Sequence, residues 1–166
     1  VSLLLSNPIL AEDITKPEGI LPGNPFYFLD ILFENIRLSL ADDPEEFSLV
    51  AMNIADERVH EIEYLFFNRE YDSVEKTLKR YGETIEKIDE IVPELSTETL
   101  NQWDGELDFG DSVLVSIGFE LFLNPPEISE EEIKLLQKEL EIALEKEHKV
   151  DDHVYQELVE REQRLE

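Results

Sequence analysis

Apolar side chains recur at helical spacing over residues 26–40, where Phe26, Leu29, Leu32, Phe33, Ile36 and Leu40 form one face and Asp30, Glu34 and Arg37 the opposite stripe. Pro22-Gly23 shapes a turn ahead of this run. Asn24 reads as the N-cap and Pro25 as the first helical residue, where a missing N–H is harmless. The run is too apolar for an exposed helix and too short for a membrane span, so it is expected to lie between the next two helices. The second of these uses the same device, with Asp43 as cap, Pro44 at the first position and Glu45-Glu46 on the positive end of the helix dipole. Its apolar face is Phe47, Val50, Ala51, Ile54, Ala55, Val59, Ile62, Leu65 and Phe66. A third helix carries Tyr71, Val74, Leu78, Tyr81, Ile85, Ile88 and Val92 at alternating steps of three and four, the seam of antiparallel bundle packing, and Pro93 ends it.

Beyond Pro93, Leu95–Trp103 fits a short helix or a loop, and Asp104–Gly110 is an acidic, Gly-containing boundary. Residues 113–123, VLVSIGFELFL, alternate like a strand, but Asp111-Ser112 is a fair helix start and no second strand offers a partner, so a buried helix is expected. Ser129 and Glu132 make a capping box, with Ile128 and Ile133 placed as a hydrophobic staple, for a helix running to about His148. Asp151-Asp152 is expected to cap a separate last helix bearing Val154, Tyr155, Leu158 and Leu165. The pattern predicts an all-α, up-down helical bundle. Residues 20–93 form a three-helix domain and 94–166 an acidic helical extension packing on or beside it. Residues 1–19 are a signal remnant or an N-terminal arm, because VSLLLSNPILA resembles the back half of a secretory signal.

Charge narrows the possible partners. The chain has 41 Asp+Glu against 14 Lys+Arg, a formal charge of -27, spread as 22 acids and 8 bases over residues 1–103 and 19 and 6 over residues 104–166. Such a field repels phosphate backbones and anionic lipid, so no nucleic-acid partner is expected. No segment after the N-terminal arm is apolar enough to span a membrane. With no cysteine in the sequence, thiolate nucleophiles, thiolate metal sites and disulfides are excluded.

Candidate chemistry is sparse. A di-metal carboxylate bundle needs Glu-x-x-His strings aimed inward, and two strings are present, Glu57–His60 and Glu145–His148. His60 and Glu145 fall away from the apolar faces of their helices, which makes both strings surface features. Asp104, Glu106, Asp108 and Asp111 alternate oxygen ligands like the start of an EF-hand loop, though Phe109 stands where Gly is wanted and Val115 where the bidentate Glu is wanted. They define a weak Ca²⁺ site at best, and no other cofactor is implied. A carboxylate pair suffices for glycoside hydrolysis, but nothing in the pattern selects one. Trp103, Tyr64, Phe66 and Phe67 could line a cleft or sit in the core.

The spaced motifs LPGNPFYFLD, ENIRLSLADDPEE and ADERVHEIEYLFFNREY resemble a helical domain of unknown function found in secreted bacterial and archaeal proteins and in extracytoplasmic parts of some anti-sigma factors. The matching positions are Leu21, Pro22, Gly23, Asn24, Pro25, Tyr27, Glu34, Arg37, Leu38, Asp43, Pro44, Glu45, Ala55, Glu57, Arg58 and Tyr71, within residues 20–92. The resemblance implies an extracytoplasmic address and no catalytic residues. From the residues themselves, Glu34/Arg37 reads as an exposed pair worth a few tenths of a kcal/mol. If Arg37 or Arg58 is instead buried against a carboxylate, it pins the helix register. The expected function is an extracytoplasmic, acidic, non-catalytic binding module for a protein partner or divalent cations; a Ca²⁺-dependent structural or adhesion module and a carboxylate-dependent hydrolase are the alternatives.

Overall fold

A computed structural model describes residues 16, 17, 19–103 and 108–164, and shows six α-helices and no strand among them. In chain order these are α1 (Tyr27–Ser39), α2 (Pro44–Phe67), α3 (Tyr71–Ile91), a 3-10 turn at Val92–Glu94, α4 (Thr97–Trp103), α5 (Asp108–Leu123) and α6 (Glu130–Gln163). The fold is the all-α helical bundle that the periodicity predicts. Its centre is α3, which packs along α2 on one side and α6 on the other, while α5 closes against α2 and α6. The seam residues Val74, Leu78, Tyr81, Ile85, Ile88 and Val92 are all buried there. One apolar core joins them to Ile62 and Leu65 of α2, Leu100 and Trp103 of α4, Leu114 and Ile117 of α5, and Leu140 and Val150 of α6.

Local chemistry explains most element ends. The Asp43 carboxylate accepts the Glu46 N–H at 2.8 Å, with Pro44 in the first turn. Ser129 and Glu132 form the reciprocal capping box. Between α2 and α3 the chain turns in a Schellman motif: the Glu70 N–H bonds the Leu65 carbonyl and the Arg69 N–H that of Phe66, with Arg69 left-handed at φ 63°. The short α4 is held from the far end of α6, where Arg161 donates to the carbonyls of Leu95 (2.6 Å) and Pro93 (3.2 Å).

Four expectations change. First, Asn24 does not cap α1; its side chain accepts the Phe26 N–H at 2.9 Å, a local turn, and the helix begins only at Tyr27. Second, the acids at 151–152 do not start a new helix, because the seam Leu136, Leu140, Ala143, Glu147, Val150, Val154 runs on without a break and holds α6 as a single 34-residue helix. Third, α5 starts at Asp108 and is only half buried: Val113, Leu114, Ile117 and Leu121 face the core, whereas Phe119, Phe122 and Leu123 are exposed.

The fourth change is the largest. Helix α1 does not lie between α2 and α3, and its apolar face is turned outward. Phe26, Phe28, Leu32, Phe33, Ile36 and Leu40 are between 41 % and 69 % exposed, and Tyr27 is the buried residue of the helix. The cause is a charge in the core of α2 that the polar stripe of α1 must cover.

Candidate functional site

Arg58 lies on the inward face of α2, 1 % exposed, and a guanidinium so placed needs its charge and donors satisfied. Glu34 of α1 accepts one Arg58 nitrogen, Glu61 and the Tyr27 hydroxyl share the other, and Asp30 lies 3.6 Å away. The Tyr27 hydroxyl in turn donates to Glu61 at 3.4 Å. Glu34 therefore pairs across helices with Arg58 rather than along α1 with Arg37, and its partner is not a surface residue. Three carboxylates around one cation cannot all ionise freely. Burial pushes the Glu61 carboxyl up to about 7, against the pull of Arg58, and burial likewise raises Glu34 and the Tyr27 hydroxyl. Two acids with raised pKa thus converge on the Arg58 guanidinium, Glu61 buried and Glu34 partly exposed.

Beside this cluster a groove of about 450 Å³ opens between α1 and α3. Tyr27 and Asn35 form one side of it and Lys76, Lys79, Arg80 and Lys87 the other. The Arg80 guanidinium lies over the Tyr27 ring, 5.1 Å from its centroid.

A second buried acid was not foreseen. Glu147 of α6 is fully enclosed, between Tyr81 of α3 and the first turn of α5, and neither carboxyl oxygen has a partner at good hydrogen-bond geometry among the described residues. Burial raises its pKa to about 7; the Tyr81 hydroxyl and the Asp111 N–H pull it back, and the charges of Asp111 and Asp151 push it further up. A Cβ on Gly110 would stand 2.5 Å from the Tyr81 hydroxyl and 2.6 Å from a Glu147 oxygen, so only glycine lets α5 pass over the pair.

Of the suggested Ca²⁺ ligands, Asp104 and Glu106 lie outside the described residues. Asp108 opens α5, and Asp111, inside that helix, bonds the His148 ring at 3.0 Å. The chain from residue 108 onward is thus helix rather than EF-hand loop, and among the described residues no three His, Asp or Glu converge as metal ligands. His60, at the end of its Glu-x-x-His string, is exposed and bonds the Asp56 carbonyl. Trp103 and Phe66 belong to the core, while Phe67 and Tyr71 line an open cleft of about 650 Å³ with Arg69, Glu120 and Pro125. Both buried charges carried a sequence signal: Arg58 and Glu147 each occupy a seam position of their helix, between apolar residues three and four away.

The architecture defines an all-α bundle with two buried ionisable clusters and an outward apolar helix. The chain belongs to the family described as Domain of unknown function (DUF5667), whose model matches residues 19–165. The match takes in α4, α5 and α6 as well as residues 20–92, to which the resemblance to a domain of unknown function was confined. No curated protein and no solved structure matches the chain.

Proposed function

We propose that the chain is an extracytoplasmic interaction module that pairs through the apolar face of α1, with a second copy of itself as partner. The observation that carries this reading is the orientation of α1. Its Glu34 and Tyr27 are held inward by Arg58, and six large apolar side chains are left in solvent. With 150–250 Å² per aromatic side chain as the scale, these residues present roughly 600 Å² of apolar surface, at the upper limit for an ordinary monomer. Two such faces brought together remove about 1,200 Å², the lower bound of a stable interface.

The flank of the face is self-complementary. Asp30 and Arg37 lie on one side of α1, seven residues apart, so in an antiparallel pair centred between residues 33 and 34 each Asp30 comes level with Arg37 of the other copy. A net charge of -27 argues against anionic lipid as the cover. The signal-like Val1–Ala11 and the resemblance to secreted and anti-sigma ectodomains support the address.

Sedimentation equilibrium from 1 to 300 µM at 0.15 M NaCl tests the pairing. A monomer–dimer equilibrium in about the micromolar range is expected, lost in Phe33→Glu and weakened in Arg37→Glu. A monomer at every concentration, or a dimer indifferent to Phe33→Glu, overturns the reading. A reporter fused after the domain, active only outside the cytoplasm, tests the address.

A further inference from the structure

The groove between α1 and α3 is a cationic island on an acidic molecule. Five of the chain's 14 Lys and Arg line it, against two acids, Glu34 and Glu83, and Glu34 is already held by Arg58. Lys76, Lys79, Arg80 and Lys87 share one side of α3, spaced at helical intervals. In a chain with 41 acids, lysines on a helix surface ordinarily collect carboxylates. None of these four has an ion-pair partner among the described residues.

Arg80 points most directly to a ligand. It is half-buried, its guanidinium lies over the Tyr27 ring, and that group makes no hydrogen bond or ion pair among the described residues. A planar fork of donors, positioned in advance and unspent, matches a carboxylate in shape and charge. The opposing effect is the field of the whole protein, net -27. That field is screened beyond about 8 Å at physiological salt, so an anion seated in the groove responds chiefly to the cations around it.

We infer that this groove is a carboxylate-binding site, with Arg80 as the bidentate anchor and Lys76, Lys79 and Lys87 as the surrounding positive wall. Its volume of about 450 Å³ suits a small polycarboxylate or one or two acidic side chains of a peptide. The site is separate from the outward face of α1, and either can fail without the other.

Isothermal titration calorimetry on the intact chain at 50 mM NaCl, with citrate in one arm and a hexaglutamate peptide in the other, tests the inference. Saturable binding in at least one arm is expected, and the arm that binds identifies the source of the carboxylate. Arg80→Gln weakens it by at least about 10-fold, the loss of one charge-assisted pair. Lys76→Gln/Lys79→Gln, confined to exposed side chains, weakens it several-fold. Lys134→Gln/Lys138→Gln, the same charge change on α6, leaves it unaltered. Should Arg80→Gln fail to fold, the two lysine doubles decide. No saturable binding in either arm, or equal weakening by both doubles, overturns the inference.

Discussion

Replacing Glu147 by Gln isolates the energetic effect of one buried acid. The carboxyl moves from an ordinary value of 4.5 to about 7 on folding, because enclosure between α3, α5 and α6 removes the water that would stabilise its charge. An acid whose folded pKa lies above its unfolded value holds more protons folded than unfolded in the interval between them. Stability therefore falls as pH rises from about 4.5 to about 7, and levels off above that. Between pH 5 and pH 8 the loss attributable to Glu147 is roughly 2–3 kcal/mol, which for a chain of this size is about 5–10 °C in Tm. Gln keeps the shape and removes the titration. Glu61 titrates in the same window, and the whole acidic surface relaxes as pH falls, but both effects are common to the two proteins and cancel in the comparison. Urea denaturation at pH 5, 6, 7 and 8, at constant ionic strength, is expected to show wild type falling progressively behind Glu147→Gln as pH rises. A difference that stays flat within about 0.5 kcal/mol over that range would refute a buried, neutralising Glu147.

Four further substitutions probe the same packing logic. Arg58→Ala leaves Glu34 and Glu61 without their cation, so urea denaturation should show a loss of about 3–5 kcal/mol, with hydrogen exchange of α1 amides rising far more than that of α3. Arg58→Lys is expected to recover less than half of that loss, since an ammonium cannot reach partners on two helices as the fork does. Gly110→Ala, although it improves helix propensity, should destabilise by roughly 1–3 kcal/mol in the same assay, because its Cβ meets the Tyr81 hydroxyl and Glu147. Arg69→Gly relieves a left-handed residue in the α2–α3 turn and should raise stability by about 0.5–1 kcal/mol, visible as a higher Tm.

Among the helices, legibility followed the regularity of the pattern. The α3 seam and the caps at Asp43 and Ser129 could be read directly, because a three-four spacing has one geometric meaning and an N-cap needs only its own first turn. The acids at 151–152 misled because Asp also tolerates a helix interior when an unbroken apolar seam outweighs its local preference. At α1 the expectation failed for a longer-range reason. Apolar content argued for burial, but a helix turns inward whichever face satisfies the largest energetic demand nearby, and an unpaired buried guanidinium outweighs several exposed leucines and phenylalanines.

The sequence by itself therefore determined an all-α chain, the helices α2 and α3, the start of α6, the seam of α3 and the acidic balance, since each depends on neighbours within a few turns or on composition alone. Only the tertiary structure decided which face of α1 meets solvent, that Arg58 and Glu147 are buried, and that lysines of α3 stand with Arg80 around one groove. Those facts depend on residues 24 to 66 positions apart in the chain meeting in space, as Arg58 meets Glu34 and Arg161 meets Leu95, and helical periodicity carries no information about such encounters.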